Sequence, residues 1–307
     1  MKNKTFEKAY LEYLEYAKLQ IKPTTILSLK LKIEKQVLPY FGKIKIKKID
    51  SKKYLEWQKE IEKKGYSYRY KRNLHYCVKN VYEYLEKFYD IPNIPKKVGN
   101  FKSNYSVKEY YNTWNEIEVK KFLSSIDNIE YYTLFNLLIT TGCRKGELLA
   151  LTFNDIKENY LYINKTITKE LFNGKRLITT PKTKKSIRKI LIDENLIKNI
   201  NELKEYYKTK YENFNNNFYI FGAIEPIPCT TLERKKNYYC DKAKVKRITI
   251  HEFRHTNATI LFKNKIEIEL ISQRLGHSNI NTTLSTYIHT NTENEKKVAE
   301  LLSFIKT

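Results

Sequence analysis

Arginine is scarce in this chain, and two of its arginines lie in short segments rich in other reactive groups. Arginine occurs nine times in 307 residues. Arg144 lies in TGCRKGELLALTFNDI (Thr141 to Ile156), and Arg254 lies in HEFRH (His251 to His255). A planar guanidinium can donate paired hydrogen bonds to the oxygens of a phosphate. The scarcity of arginine makes these two segments informative.

A histidine and a tyrosine follow these segments at a fixed spacing. LGHSN places His277 after a Leu-Gly turn, and TLSTYIH places Tyr287 ten positions beyond that histidine. A phenol with a pKa of about 10 is a poor nucleophile unless cations favour the phenolate or a base accepts its proton. An imidazole with a pKa of about 6.5 suits proton transfer near neutral pH. The set therefore combines a candidate nucleophile with groups that could activate it.

The R-x-x-E segment, H-x-x-R, L-G-H and a following Tyr, in this order and at this distance, resemble the signature of tyrosine recombinases of the phage-integrase family. The resemblance implies site-specific DNA recombination that integrates or excises a mobile element, through a 3′-phosphotyrosyl intermediate and a Holliday junction. It assigns Tyr287 as the nucleophile, Arg144 and Arg254 as ligands of the phosphate oxygens, and His251 and His277 as groups that contact the phosphate and assist proton transfer. The sequence leaves open which histidine moves a proton.

The resemblance also implies a lysine that protonates the departing 5′ oxygen, carried by a β-hairpin between the two arginine segments. ITTPKTKKSIRKILI (Ile178 to Ile192) resembles that hairpin, and Lys182, in its P-K-T context, is the matching position. Lys184 and Lys185 are close alternatives. We interpret Glu147 of R-x-x-E as a structural partner that orients the arginine side of the site rather than as a catalytic acid.

The charge balance predicts a polyanionic partner. Lys and Arg total 58 against 34 Asp and Glu, which gives a formal charge of +24. Lys, Asn, Ile and Tyr are all abundant, as an AT-rich genome would impose, so part of this charge reflects composition. The resemblance implies double-stranded DNA carrying recombination sites as the partner, a homo-tetramer assembled on it and a directionality factor as a further protein partner.

No cofactor is expected. A reaction that keeps each broken phosphodiester as a phosphotyrosyl ester needs neither ATP nor a metal. The sequence contains no G-x-x-x-x-G-K-[ST] loop and no evident carboxylate cluster for two metal ions.

Two other function classes are compatible with parts of the sequence. HEFRH also satisfies H-E-x-x-H, in which His251 and His255 would bind zinc, Glu252 would be the general base of a metalloprotease, and Glu267 or Glu269 would be the third ligand. That interpretation leaves the other motifs unexplained.

The second class is a catalytically inert DNA-binding protein, whose mark would be a missing catalytic residue. None of the expected positions is missing.

The periodicity predicts a mainly α-helical protein with a small antiparallel β-sheet. An all-α core-binding, SAM-like DNA-binding domain is predicted at 1–91, with helices opening at Phe6 and Pro23, a third capped by Ser51, and a fourth from about Ser67 to Tyr89. A linker is predicted at 92–112. A mixed α+β catalytic domain follows at 113–307, opened by an Asn115–Glu118 capping box.

Within the catalytic domain, alternating segments predict strands at 160–168 and 176–192, with a turn at Asn173-Gly174. After Asn195 the pattern is helical almost to the end. An apolar stripe in the tail is expected either to pack on its own domain or to dock on a neighbouring protomer; it comprises Val298, Leu301, Leu302 and Ile305.

The remaining features place the protein in the cytoplasm. No window approaches the roughly 18 apolar residues of a membrane span, and the first twenty residues lack the apolar core of a signal peptide. The four cysteines are far apart and are interpreted as reduced thiols. We therefore expect a cytoplasmic, nucleoid-associated bacterial or phage protein. The sequence leaves open an integrase, a chromosome-dimer resolvase or an invertase.

Overall fold

The structure is a computed structural model that describes residues 1–102, 112–172, 175–181 and 184–277. It divides into two compact units, Met1–Lys108 and Glu109–Thr307. The predicted nucleophile Tyr287, the predicted general acid Lys182, the Asn173-Gly174 turn and the C-terminal stripe lie outside the described residues. In the described part, the protein is mainly helical with antiparallel strands, as the sequence predicts, but the strands form two small sheets rather than one.

The first unit is built from helices in its described part, with one isolated antiparallel β-bridge between Thr5 and Lys45. They are α1 (Phe6–Lys18), α2 (Pro23–Gln36), α3 (Leu38–Phe41), α4 (Ser51–Lys63), α5 (Tyr68–Tyr89) and α6 (Ile94–Val98), with a 3-10 turn at Ile46–Lys48. The predicted cap of α4 is wrong by one residue. Asp50 is the N-cap, because its carboxylate accepts a hydrogen bond from the Lys53 amide at 2.8 Å, and Ser51 is the first helical residue.

Aromatic side chains fill the core of the first unit. Phe41 and Tyr54 stack with their ring centroids 6.2 Å apart, and Trp57 lies 5.2 Å from Tyr54. The buried His75 ring shares a 2.9 Å hydrogen bond with the Tyr54 hydroxyl. Residues 94–98 of the predicted linker form α6, which packs against α4 and α5 and so belongs to this core.

The second unit combines helices with short strands. Its helices are α7 (Glu116–Ser124), α8 (Ile129–Thr141), α9 (Lys145–Ala150), α10 (Glu194–Lys210), α11 (Cys229–Lys242), α12 (Ile250–Lys263) and α13 (Ile268–Leu275), with 3-10 turns at Phe153–Asp155 and Lys184–Ser186. The predicted capping box at Asn115 and Glu118 is present. Residues 211–228, predicted to continue in a helical pattern, contain no helix between α10 and α11.

The strands of the second unit form two separate sheets. They are β1 (Ile156–Lys157), β2 (Tyr160–Ile163), β3 (Thr166–Phe172), β4 (Lys175–Thr179) and β5 (Arg188–Leu191). One sheet has the order β1-β2-β5, and the other pairs β3 with β4. The segment from Ile178 to Ile192 is therefore not itself a hairpin, because β4 pairs with β3 on one side of it and β5 pairs with β2 on the other.

The core of the second unit brings sequence-distant segments together. Trp114 packs edge-on against Phe253 with ring centroids 5.1 Å apart, and Phe122 lies 4.8 Å from the same Trp ring. The Trp114 indole donates to the Lys246 carbonyl at 2.9 Å. These contacts hold α12 against α7, and the Phe135 ring of α8 stacks on Phe253 with ring centroids 5.7 Å apart. Among the described helices, none is long and apolar enough to cross a membrane.

Candidate active site

Arg144 lies at the junction between α8 and α9. Helix α8 ends at Gly142, which has a φ of +61°, and a Cβ there would lie 2.5 Å from the Leu275 side chain. Glycine is therefore required twice, by the left-handed backbone and by the close approach of α13. The chain then turns so that Arg144 is the residue before α9, with its side chain 38% exposed.

Arg254 and His251 share one face of α12. Helix α12 begins with a capping box between Thr249 and Glu252, and residues three apart lie on the same face. Arg254 is only 2% exposed, and its Nη1 donates to the Gly142 carbonyl at 2.9 Å. Its Nη2 is buried and has no hydrogen-bond partner among the described residues.

His277 follows the left-handed Gly276 that ends α13. The Gly276 carbonyl accepts a hydrogen bond from Arg144 Nη2 at 3.3 Å, so the turn before His277 is tied directly to the first arginine segment. A cavity of about 470 Å³ opens beside this turn, with Arg188 and His277 among its lining residues. The structure thus brings Arg144, His251, Arg254 and His277 to one place.

Glu147 binds two arginines at once. Its Oε1 accepts from Arg144 Nη1 at 2.8 Å, and its Oε2 accepts from the Arg144 amide and from Arg188 Nη2, both at 2.9 Å. The Glu147 side chain is 3% exposed and that of Arg188 is 6% exposed. The contact with Arg144 is the one expected for a residue that orients the arginine side of the site.

No motif in the sequence singles out Arg188, although it lies in the segment from Ile178 to Ile192. The signal that could have found it is again the scarcity of arginine. Four of the nine arginines in the chain meet around Glu147 and the turn before His277: Arg144, Arg188, Arg254 and Arg274.

The electrostatics of the cluster are dominated by positive charge. Burial, together with the cations Arg144 and Arg188, lowers the pKa of the Arg254 guanidinium to about 9. Burial opposes ionisation of Glu147, but the hydrogen bond and charge of Arg188 outweigh it and hold the pKa of that carboxyl below its ordinary value. One carboxylate therefore faces three guanidiniums.

The same cations act on the histidines. Desolvation, followed by Arg254 and Arg144, lowers the pKa of His277 to about 3 and also lowers the pKa of His251. Both imidazoles are therefore mainly neutral at pH 7, and in this DNA-free state they are weaker bases than a free imidazole. His255, whose ring lies 4.9 Å from that of His251, has its pKa lowered to about 4, mainly by burial.

The ligand set required by a zinc protease is not assembled in the described part of the chain. No group of three or more His, Cys, Asp or Glu there could hold a metal ion, so neither Glu267 nor Glu269 completes a site with His251 and His255. Glu252 is engaged at the start of α12, where its carboxylate accepts from the Thr249 amide at 2.6 Å and from the Asn112 amide at 3.1 Å.

Comparison with known proteins identifies the family. The model of the phage integrase family matches residues 112–294, which is more than half of the chain. The chain belongs to the phage integrase family. A second model, the N-terminal SAM-like domain of phage integrases, matches residues 5–62 of this integrase, within the first unit.

Individual relatives agree with this membership. The integrase is 29% identical to the ICEBs1 integrase of Bacillus subtilis, over 94% of this chain and 80% of that protein. It is 26% identical to the integrase of Staphylococcus phage L54a, over 98% of this chain and 93% of that protein. It is an enzyme of site-specific DNA recombination, a tyrosine recombinase.

Solved structures share the fold of the integrase. The Tn1549 transposon integrase in complex with transposon right end DNA superposes with a TM-score of 0.78, at 20% identity, over 98% of this chain and all of that chain. A lambda integrase dimer bound to a COC′ core site superposes with a TM-score of 0.69, at 16% identity, over 92% of this chain and 95% of that chain. A lambda integrase tetramer bound to a Holliday junction superposes with a TM-score of 0.66, at 15% identity, over 92% of this chain and 77% of that chain.

Proposed function

We propose that this integrase cleaves and rejoins DNA with Tyr287 as the nucleophile and with Arg144, Arg254, His251 and His277 as the groups that bind and activate the scissile phosphate. The Tyr287 oxygen bonds to phosphorus, the bond from phosphorus to the 5′ oxygen breaks, and the 3′ end is held as a phosphotyrosyl ester. Rejoining is the reverse of this step with a different 5′ hydroxyl. Each phosphodiester is conserved, so no external energy source is consumed.

The unbalanced charge around Arg254 carries the proposal. A buried cation is costly unless an anion or hydrogen-bond acceptors satisfy it. Arg254 uses Nη1 on the Gly142 carbonyl, whereas its buried Nη2 has no partner among the described residues. Glu147 already accepts from two other guanidiniums. A DNA phosphate would supply the missing anion, and its charge increases on the non-bridging oxygens in the transition state.

The protonation state of the histidines bears on the proton transfers. A group that removes the Tyr287 proton must be deprotonated at working pH, and burial, together with Arg254 and Arg144, lowers the pKa of His277 and of His251 and so keeps both in that form. DNA bound at the site would bring a phosphate anion, which raises the pKa of a neighbouring imidazole and makes it a stronger base. Lys182, by the family resemblance, would donate the proton that the departing 5′ oxygen needs. In the sequence, Lys182 lies between Thr179, the last residue of β4, and Arg188, the first residue of β5.

The assembly proposed for the reaction is a tetramer on two duplexes. The lambda integrase tetramer bound to a Holliday junction supports this through the shared fold. The first unit would serve as the core-binding domain, with lysine contacts to phosphates supplying salt-sensitive affinity. The tail from Asn291 to Thr307 would dock on a neighbouring protomer, and a separate directionality factor would bias integration against excision.

The test is formation of a covalent protein–DNA adduct. Wild type, Tyr287→Phe and the surface control Tyr238→Phe are incubated with fragments of the DNA that flanks the gene, some nicked to trap the intermediate, and are run on a denaturing gel. We expect an adduct with wild type and Tyr238→Phe and none with Tyr287→Phe. Specific DNA binding without any adduct would instead favour the inert binding protein. Stoichiometric zinc, lost together with peptidase activity, would favour the metalloprotease.

A further inference from the structure

Arg188 connects three segments of the second unit that are far apart in sequence. Its Nη2 donates to Glu147 Oε2 at 2.9 Å, its Nε to the Arg274 carbonyl at 2.7 Å and its Nη1 to the Ser186 carbonyl at 3.0 Å. The Arg188 side chain is 6% exposed. One guanidinium therefore joins the R-x-x-E segment, the chain that follows Lys182 and the end of α13.

These bonds form part of a closed ring of contacts. Glu147 binds both Arg144 and Arg188, Arg188 binds the backbone of α13, and the Gly276 carbonyl at the end of α13 accepts from Arg144 at 3.3 Å. The ring is tight at Gly276, where a Cβ would lie 3.1 Å from both Cδ and Nη1 of Arg188. A change at Arg188 would therefore shift both Arg144 and the turn that leads to His277.

We propose that Arg188 is a positioning residue for strand transfer, which holds Arg144 and His277 in register against the same phosphate. This inference rests on the proposed function. Arg188 need not contact the DNA for this role, since it acts through Glu147 and through the backbone before His277. The ring of bonds fixes in advance the two groups that must approach the phosphate together, and such fixing lowers the entropic part of a reaction barrier.

Stability alone does not account for an arginine at this position. The Arg188 guanidinium adds a further positive charge beside Arg254 and contributes to the lowered pKa of Arg254, so its charge repels a neighbour. Well-packed apolar residues commonly stabilise a protein as much as or more than a buried ion pair of similar volume. The fork of Arg188 supplies three donors in fixed directions, and a lysine could not hold all three acceptors in the same geometry.

The experiment separates DNA binding from the chemical step. Arg188→Met removes the charge and the fork, and Arg188→Lys keeps the charge alone. Arg176→Met is the matched control, because Arg176 also donates to a loop carbonyl, that of Ile227 at 3.2 Å, but on β4. For each protein, the rate of adduct formation on saturating nicked DNA and the affinity for the same DNA are measured, with circular dichroism as a check of folding.

We expect the adduct rate of Arg188→Met to fall about 100-fold, the size of effect that a misplaced catalytic group produces, while DNA affinity changes less than about threefold. Arg188→Lys should lose about 10-fold, and Arg176→Met should react like wild type. Exchange of the Arg144 amide hydrogen, which is bonded to Glu147, should accelerate in Arg188→Met without DNA.

Several results would overturn the inference. A folded Arg188→Met with the wild-type adduct rate would do so, as would equal losses of rate and affinity. If Arg188→Met does not fold, a folded Arg188→Lys that reacts at the wild-type rate overturns it equally. If wild type itself forms no adduct, the proposed function fails, and this inference fails with it; if wild type and Arg176→Met react but Arg188 proves unnecessary, only this inference fails.

Discussion

The two units of this integrase bury polar groups in different ways. The first unit buries a neutral pair, Tyr54 and His75, inside an aromatic core. The second unit buries ions, with Glu147, Arg188 and Arg254 all at most 6% exposed. A neutral pair needs one hydrogen bond to offset its desolvation, whereas ions need opposite charges as well. The comparison shows that the first core is held by apolar contacts and neutral hydrogen bonds, whereas the second also depends on the balance of buried charges.

Removal of the Glu147 carboxylate, which binds Arg144 and Arg188, should give the largest effect on stability. Glu147→Gln leaves two buried guanidiniums without a counter-charge, and the loss of one partner from a buried ion pair costs roughly 4 kcal/mol. Urea unfolding in a Trp57→Phe background, in which the Trp114 fluorescence reports the second unit, measures this cost.

Glu118→Gln is the control for this experiment. Glu147 accepts from the Arg144 amide at the start of α9, and Glu118 likewise accepts from the Asn115 amide at 2.9 Å at the start of α7. Its replacement should cost about 1 kcal/mol or less. Equal losses in the two variants would contradict the view that the second unit depends on balanced buried charge.

Acidic pH should lower the free energy of unfolding of the first unit, because His75 is buried in its neutral form. Burial is the main cause that lowers the pKa of His75 to about 4, from about 6.5 in the unfolded chain. Because the pKa of His75 is lower in the folded protein, its contribution to stability is complete above about pH 6.5. It is lost progressively as the pH falls from there through about 4. At pH 5 the loss is about 2 kcal/mol relative to pH 7.

The measurement compares wild type with His75→Gln, both in a Trp114→Phe background so that the Trp57 fluorescence reports the first unit. Urea unfolding is followed at pH 7 and at pH 5. The difference in the free energy of unfolding between pH 7 and pH 5 should be smaller by about 2 kcal/mol in His75→Gln than in wild type. The same difference in both proteins would show that the buried neutral pair does not govern the acid response.

The smallest effect is expected at the cap of α4. Asp50→Ala removes the acceptor for the Lys53 amide and should cost about 1 kcal/mol. Ser51→Ala, one residue later, should leave the free energy of unfolding of the first unit nearly unchanged. The Trp57 fluorescence again provides the measurement, and a larger loss at Ser51 than at Asp50 would contradict the assigned cap.

Local signals in the sequence predicted local structure well. The Asn115–Glu118 capping box and the helices opened by Phe6 and Pro23 are confirmed, because helix caps and apolar periodicity act within a few residues. The cap of α4 was misplaced by one residue because Asp and Ser are both good caps and stand side by side.

The failures concern contacts between distant residues. The segment from Ile178 to Ile192 looked like one hairpin, but strand partners are chosen by the sheet and not by the segment itself. Arg188 has no local signature, since its partners Glu147 and Arg274 lie 41 and 86 positions away. The roles of Lys182 and Tyr287 remain predictions from the family resemblance.

Contacts in the second unit join residues that are far apart in sequence, and this determines the order in which the two units can fold during translation. The hydrogen bond between Arg144 and Gly276 spans 132 positions, as does the bond from Trp114 to Lys246. At translation rates of roughly 10 residues per second, Arg144 waits on the order of 10 s for its partner to be synthesised. A nascent chain can therefore complete its first, basic unit well before the arginines around Glu147 can meet the end of α13.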